Sequence, residues 1–231
     1  MMKTFKILKR SKGEEKGHFE NYEYQVAGEA DTVATALTKI NETEYVGWEC
    51  NCLQKKCGAC AMVIDGLPGL ACSAKLSSYG DVITLEPLKK FPVVEDLIID
   101  RSAMHENLDA MQMWFEDKAK GSGFTMDNAY EASRCLQCGC CLEVCPNFMV
   151  GGEFNGMASA VPASRIIGQI EKTAPGEIRK MYKRHVFEGC GKSLACRNIC
   201  PAGIDIENLL INSNAIAIWK RFGRKGRKGS K

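Results

Sequence analysis

Cys135-Leu-Gln-Cys138-Gly-Cys140-Cys141-Leu-Glu-Val-Cys145-Pro146 is the stretch that decides the fold of the second half of the chain. It contains the spacing C-x2-C-x2-C-x3-C-P, the bacterial-ferredoxin run in which three cysteines bind one iron-sulfur cluster and the fourth binds another. A proline after the last cysteine cannot continue a helix, so the local helix ends there. The run predicts an all-helical domain of the two-cluster bacterial ferredoxin type. Cys140 is out of register and is not assigned as a ligand.

A second run has the same spacing with one cysteine replaced: Cys190-Gly-Lys-Ser193-Leu-Ala-Cys196-Arg-Asn-Ile-Cys200-Pro201. Because the fourth cysteine of each run serves the other cluster, two ligand sets follow. We expect a 4Fe-4S cluster to be bound by Cys135, Cys138, Cys141 and Cys200. We expect the other cluster to be bound by Cys145, Cys190 and Cys196.

Ser193 determines the type of that other cluster. A hydroxyl has a far higher pKa than a thiol and is a weaker ligand for iron. We therefore expect a vacant corner at Ser193 and a 3Fe-4S cluster. The alternative is a 4Fe-4S cluster whose fourth iron binds Ser193 or water.

The first half of the chain carries a different pattern, formed by Cys52, Cys57, Cys60 and Cys72. The spacing C-x4-C-x2-C with a distant fourth cysteine is the plant-type 2Fe-2S arrangement. A strand hairpin over residues 62–70 is expected to return the fourth ligand to the loop. The alternative is a zinc site with the same four thiolates, although zinc sites usually pair two C-x2-C units. Cys50 lies outside the pattern and is expected to be a small apolar residue.

Hydrophobic alternation predicts strands at residues 4–9, 19–26, 61–64 and 82–85, with a turn at Asp65-Gly66. A helix capped by Asp31 or Thr32 is expected to run to about Ile40. This order favours a β-grasp 2Fe-2S ferredoxin domain over residues 1–100, with residues 86–92 as its exit. Helical patterns then dominate residues 101–231. Apolar spacing through Phe115 predicts one helix, a loop follows at 121–123, and further helices are expected at 164–170, 176–183 and 205–219. The predicted fold class is α+β.

Composition excludes several classes of function. A net charge of +3 over 231 residues is too small to predict nucleic-acid binding. We find neither a signal peptide nor an apolar run of the length that crosses a membrane. An odd number of thiols in a reducing cytosol favours metal ligation over disulfides. The basic tail, residues 220–231, is expected to be solvated; the alternative is a contact with anionic lipid or an acidic partner.

The order and size of these two domains resemble the iron-sulfur subunit of the succinate dehydrogenase and fumarate reductase family. The resemblance extends from about Phe5 to Leu210. Its motifs are Cys57-Gly-Ala-Cys60-Ala-Met62, Leu70-Ala-Cys72, Phe91-Pro92 followed by Asp96-Leu97, and Cys200-Pro201. The resemblance implies a path from FAD on a separate flavoprotein subunit through 2Fe-2S, 4Fe-4S and 3Fe-4S clusters to a quinone. It also implies membrane-anchor subunits, and a cytoplasmic chain held peripherally on the inner face of the membrane.

The chain lacks the residues that dicarboxylate chemistry needs, since no G-x-G-x-x-G motif opens a dinucleotide site and its histidines stand far apart. Catalysis is therefore expected on another chain. At two positions where many family members carry a tryptophan and a histidine near the quinone, this chain has residues 147–150 and Gly191. The alternatives are a soluble fumarate reductase with a non-quinone partner, or the electron-transfer subunit of another flavoprotein oxidoreductase. A zinc-binding interaction protein is a further class.

Overall fold

The computed structural model describes residues 1–112, 126–169 and 176–219. The chain forms two compact units. The first consists of Met1–Arg101 and Leu136–Val144, and the second consists of the described parts of Ser102–Cys135 and Cys145–Lys231. Phe115, the loop at 121–123, the end of the helix expected at 164–170 and the basic tail lie outside the described residues. The division into domains 1–100 and 101–231 stays a prediction, to which the structure adds that Leu136–Val144 packs within the first unit.

The first unit is built on a five-stranded mixed sheet. Its strands are β1 (Met2–Lys9), β2 (His18–Gln25), β3 (Ala61–Ile64), β4 (Leu67–Leu70) and β5 (Val82–Glu86). They lie in the order β2-β1-β5-β3-β4, and β1 and β5 are parallel while the other pairs are antiparallel. Phe5 and Ile7 on one face of β1 are completely buried, as period-two alternation requires. The β-grasp prediction is confirmed.

Helix α1 (Val33–Ile40) begins at the predicted place. Of the two candidate caps, Thr32 is the N-cap: its hydroxyl accepts from the Thr35 backbone N-H at 3.2 Å. Asp31 instead accepts from the Tyr24 hydroxyl at 2.9 Å and from the Ala27 N-H at 2.7 Å. The apolar face of α1 is buried, so packing against the first unit's core stabilises the helix.

The predicted hairpin joins β3 to β4 through Asp65-Gly66, whose φ values are 46° and 83°. Positive φ at both central residues is the geometry of a tight hairpin turn, and Asp-Gly is a favoured sequence for it. The hairpin returns the chain to Cys72, and the Ala71 N-H donates to the Cys60 carbonyl at 3.0 Å.

Two short strands that the sequence pattern did not indicate, β6 (Val93–Glu95) and β7 (Ile98–Ile99), pair after β5. Buried Asp96 lies in the turn between them and has φ 47°. Its carboxylate forms an ion pair with Lys9 and accepts from the backbone N-H groups of Gly47 at 2.8 Å and Arg10 at 3.1 Å. Asp96 therefore ties the end of β1 to the segment that leads into the first cysteine loop.

The second unit is helical. Its helices are α2 (Ser102–Met111), α3 (Met126–Ser133), α5 (Met157–Gly168), α6 (Gly176–Tyr182), α7 (Ala195–Ile199) and α8 (Ile206–Ala217); the short α4 (Cys140–Glu143) belongs to the first unit. Helix α5 packs against α2, α3 and α8. A π-helical turn, Lys183–Phe187, continues α6. Asp205 caps α8 as predicted, accepting from the Asn208 N-H at 3.1 Å.

The helix expected at residues 164–170 begins earlier, at Met157. The prediction placed its start after Pro162, but Pro162 lies inside α5. Nine residues of α5 are buried, so tertiary packing outweighs the cost of an interior proline. Within residues 1–112, 126–169 and 176–219, no helix has both the length and the apolar character that crossing a membrane requires.

Candidate metal centres

The loop of the first cysteine group points backbone N-H groups at its sulfur atoms. The Gln54 and Lys56 N-H groups donate to Cys52 Sγ, and the Lys55 N-H donates to Cys72 Sγ, each at 3.3 Å. The hydrogen bond from Gln54, followed by that from Lys56, lowers the pKa of Cys52 to about 7. Because iron binds the thiolate rather than the thiol, this loop is prepared for a cluster ligand.

The conformation that turns these N-H groups inward is left-handed at Leu53 and Lys55, where φ is 51° and 59°. Alternation of right-handed and left-handed residues forms a nest of N-H groups, which favours an anionic ligand. Four thiols, N-H donors at sulfur and a nest together fit a 2Fe-2S cluster. The arrangement of donors is the observation that supports this fit.

Of the other two members of the group, only Cys60 is more buried than Cys52 and Cys72. Burial raises the pKa of Cys60 to about 12, while Cys57 is half-buried. The Cys60 thiol interacts with the backbone and the thiol of Cys72, and the Cys57 thiol hydrogen-bonds Cys52. The structure therefore brings the four predicted ligands together as two neighbouring pairs.

Gly58, between two of these ligands, makes a close approach within the first unit. A Cβ at this position would lie 2.7 Å from the Leu136 carbonyl oxygen and 2.9 Å from Cys138 Cβ, and its φ is +77°. Only glycine satisfies both conditions without strain. The ligand loop of the predicted 2Fe-2S cluster thus contacts a predicted ligand of the 4Fe-4S cluster.

The 4Fe-4S run inside the first unit begins α4 at Cys140. Cys138 and Cys140 are buried and Cys141 is half-buried. A hydrogen bond with the Cys140 thiol is the main cause that lowers the pKa of Cys138 to about 7. Cys140 is completely buried, whereas Cys50 is exposed. The small apolar residue expected at Cys50 therefore lies at the surface and not in the core.

The remaining predicted ligands, Cys135, Cys145, Cys190, Cys196 and Cys200, belong to the second unit. Burial first, and then the neighbouring Cys145 and Cys190, raise the pKa of Cys196 to about 11. The three thiols assigned to the 3Fe-4S cluster are therefore close enough to interact electrostatically. Ser193 is exposed.

The second run is held at its start by residues that follow the first run. The Asn147 side-chain N-H donates to the Gly189 carbonyl at 2.7 Å, and a Cβ on Gly191 would lie 2.8 Å from Asn147 Nδ2. A Cβ on Gly189 would lie 2.5 Å from Phe154. These contacts occupy the two positions at which the chain departs from the family pattern.

Within the part of the chain that the structure describes, no three His, Cys, Asp or Glu side chains converge as the ligands of one metal ion. The thiolates of an iron-sulfur cluster are shared among two or more irons and do not converge on one ion. The assignment of each cysteine to a particular cluster stays a prediction.

Sequence reasoning missed Arg101, which follows β7. Its Nη2 donates to the Ala59 carbonyl at 3.0 Å, and its Nη1 forms an ion pair with Glu49. Ala59 directly precedes the predicted ligand Cys60, and Glu49 lies three residues before the predicted ligand Cys52. A lone arginine after a strand carries no spacing signal, so only the fold reveals this contact.

A surface groove of about 720 Å³ lies beside the first group, lined by residues of α1, of β2 and of the segments next to them, together with Leu53 and Cys72. Leu53 is 47% exposed, and Cys72 is half-buried. One predicted cluster ligand therefore faces an open surface large enough to receive part of another protein.

Comparisons with known proteins agree with this arrangement. Residues 4–106 match the family of 2Fe-2S iron-sulfur cluster binding domains, and residues 131–204 match the family of 4Fe-4S dicluster domains. These matches confirm the predicted 2Fe-2S and 4Fe-4S cofactors and set aside the zinc alternative.

Two curated relatives and one solved structure are similar over most of the chain. The succinate dehydrogenase iron-sulfur subunit of Bacillus subtilis is 36% identical over 183 residues, which cover 73% of this chain and 70% of the relative. The fumarate reductase iron-sulfur subunit of Wolinella succinogenes is 26% identical over 208 residues, covering 84% and 87%. A chain of the Mycobacterium smegmatis Sdh1 complex in the apo form has the same fold, with a TM-score of 0.81, 22% identity and coverage of 95% and 97%.

Proposed function

We propose that this chain, which belongs to the family of iron-sulfur subunits of succinate dehydrogenases and fumarate reductases, passes electrons between the FAD of a flavoprotein subunit and a quinone. When bound, the 2Fe-2S, 4Fe-4S and 3Fe-4S clusters supply one-electron transfer at potentials set by hydrogen bonds, charge and burial. The chain itself supplies the thiolates, the donors that surround them and the surfaces for its partners.

The observation that carries this proposal is the position of the first ligand loop. On one side, Cys72 faces the open groove beside α1. On the other side, Gly58 contacts Cys138 of the next ligand run. The first ligand group is thus open to a partner at Cys72 and packed against the next ligand run at Gly58. This arrangement suits a carrier that accepts electrons from a partner and passes them to the next cluster.

The flavoprotein subunit is proposed to dock on this groove, whose lining combines apolar Leu53 with charged Lys39 and Glu42. Protein interfaces combine a buried apolar core with a polar rim, so Leu53 is proposed to lie in the core and the two charged residues at the rim. The acceptor side is proposed to lie with the 3Fe-4S ligands. Membrane-anchor subunits that hold the quinone would then place the complex on the cytoplasmic face of the membrane.

The test is turnover by the purified native complex. We expect oxidation of succinate with a quinone analogue, reduction of fumarate with a quinol analogue, or both, together with an FAD-bearing subunit that co-purifies. A complex that turns over neither dicarboxylate would refute the proposal. Turnover with soluble electron donors or acceptors alone would replace the quinone by a soluble redox partner.

A second test addresses the type of the third cluster. Ser193→Cys adds the missing thiolate and is expected to convert the 3Fe-4S cluster to 4Fe-4S, because thiolate is the stronger ligand for iron. The readout is loss of the EPR signal of the oxidised 3Fe cluster. Ser133→Cys, which adds a thiol to α3, is the matched control and should keep that signal. An unchanged signal in the Ser193→Cys variant would contradict the ligand assignment.

A further inference from the structure

Arg101 is a largely buried cation in the first unit that no ligand assignment uses. Its side chain is only 17% exposed, whereas the carboxylate partner Glu49 is 39% exposed. One guanidinium nitrogen forms an ion pair with Glu49, and another donates to the Ala59 carbonyl at 3.0 Å. The buried Nε has no hydrogen-bond partner among the described residues.

This arrangement is costly for an ordinary structural ion pair. A buried guanidinium with an unsatisfied N-H loses hydration that its contacts do not fully replace. The ion pair itself stabilises little, because Glu49 is 39% exposed and solvent screens exposed ion pairs. Stability alone therefore does not explain a cation at this position.

The location of the cation does explain it. Ala59 lies between Gly58 and the ligand Cys60, and Gly58 contacts Cys138 of the neighbouring ligand run. Arg101 therefore holds the short loop that carries the predicted 2Fe-2S ligand Cys60 and packs against the predicted 4Fe-4S ligand Cys138. The hydrogen bond with Cys140 is the main cause that lowers the pKa of Cys138, and the positive charge of Arg101 lowers it further.

A fixed positive charge favours whichever redox state carries more negative charge. Each cluster becomes more negative by one unit when it takes up an electron. Arg101 thus favours the reduced form of both clusters, and Glu49, its half-exposed partner, opposes this effect.

We propose that Arg101 is a positioning residue for electron transfer, which fixes the loop around Ala59 against Cys138 and raises the reduction potentials of the 2Fe-2S and 4Fe-4S clusters. The inference rests on the proposed function only in assigning those two clusters to the ligands that flank the contact. Arg101 and Glu49, which belong to no ligand set, thereby take part in setting the reduction potentials, and Arg101 also positions the loop.

The experiment is an EPR-monitored redox titration of the purified complex with mediators, which reports each midpoint potential without dicarboxylate turnover. Arg101→Gln removes the charge and is expected to lower the equilibrium constant for reduction of each cluster about tenfold, a fall of about 59 mV for one electron. Glu49→Gln removes the opposing charge and is expected to raise the equilibrium constant for reduction of each cluster by a smaller factor, about two- to threefold, since Glu49 is more exposed.

Two variants serve as controls. Arg101→Lys keeps the charge but loses the planar fork, so it should keep most of the potential while slowing electron transfer between the two clusters. Arg10→Gln removes the same charge from a guanidinium that donates to the Glu14 carbonyl at 2.7 Å, away from the ligand loops in sequence. It should leave both potentials unchanged.

Opposite shifts in the Arg101→Gln and Glu49→Gln variants support the inference, because structural disruption would not reverse sign. If the Arg101→Gln variant does not form the complex, an upward shift of the potentials in Glu49→Gln together with retained potentials in Arg101→Lys supports the inference. Unchanged potentials, or shifts of the same sign in both charge variants, would overturn it. A complex that shows the opposite shifts but turns over neither succinate nor fumarate would refute the proposed function and leave this inference intact.

Discussion

Replacing Gly58 by alanine tests the contact between the first two ligand runs most severely. The backbone has φ +77°, and the new Cβ would lie 2.7 Å from the Leu136 carbonyl oxygen and 2.9 Å from Cys138 Cβ. Left-handed backbone costs an alanine about 1–2 kcal/mol, and overpacking costs about 1–3 kcal/mol. Alanine also restricts the conformations of the unfolded chain, which offsets about 0.4–1 kcal/mol of this loss of stability. We therefore expect Gly58→Ala to lose roughly 2–4 kcal/mol of stability.

The assay is thermal loss of the visible absorption of the clusters in the purified complex at one fixed heating rate, because such proteins unfold irreversibly. For a chain of this size, about 2–4 °C accompanies each kcal/mol, so the midpoint should fall by roughly 5–15 °C. Two control glycines distinguish the cost of the backbone conformation from the cost of the steric contact. A Cβ on Gly66 meets nothing within 4 Å although φ is +83°, and a Cβ on Gly28 also meets nothing.

Gly66→Ala should therefore show only the conformational cost, and Gly28→Ala should show almost none. The reasoning requires Gly58→Ala to be the most destabilised of the three variants. If Gly58→Ala and Gly66→Ala lose the same stability, the close approach between the two ligand runs does not exist in solution, and the path for electrons proposed across it fails.

Three further substitutions probe the surroundings of the ligands. Asp96→Asn keeps a residue that tolerates positive φ but removes the charge that pairs with the lysine of β1, which should cost about 3–5 kcal/mol; a midpoint unchanged in the same thermal assay would be inconsistent with a buried ion pair. Tyr182→Phe deletes the buried hydrogen bond to Asn214 Oδ1 at 2.9 Å and should cost about 1–3 kcal/mol in the second unit; a loss below about 0.5 kcal/mol would show that water replaces the hydroxyl. Cys140→Ala removes the thiol that hydrogen-bonds Cys138 and should lower the 4Fe-4S potential in a redox titration while the visible spectrum is retained; loss of that cluster would instead make Cys140 a ligand.

Local sequence patterns predicted the elements that local interactions form. The strand at 61–64, the turn at Asp65-Gly66 and the end of α1 at Ile40 lie where alternation, turn chemistry and helical spacing put them. Asp31 and Thr32 were equally good caps by residue type. The choice between them depends on Tyr24 in a neighbouring strand, which binds Asp31, and that contact is tertiary.

Other features depend on contacts that no local pattern contains. The strands β6 and β7 have three and two residues, too few to show alternation. The helix start at Met157 could not be predicted because burial of α5 overrides an interior proline. Packing of Leu136–Val144 within the first unit likewise follows from the space that Gly58 leaves, not from chain order.

In the candidate site, too, some residues are predictable from local sequence and others depend on tertiary contacts. Cysteine spacing predicted the cluster types in each half, because ligand geometry imposes the spacing directly. It could not predict Arg101 or the N-H groups of Gln54, Lys55 and Lys56, since any residue type can present a backbone donor. The residues that adjust potential are therefore less visible in the sequence than the residues that bind iron.

EPR spectroscopy of the purified wild-type complex, first oxidised and then reduced with dithionite, tests the central claim of three unlike clusters most directly. The ligand sets predict a 3Fe-type signal in the oxidised sample, its loss on reduction, and the appearance of the reduced 2Fe-2S signal, with about nine irons for each copy of the chain. An oxidised sample without the 3Fe-type signal would contradict the vacant corner at Ser193 and the order of carriers that follows from it.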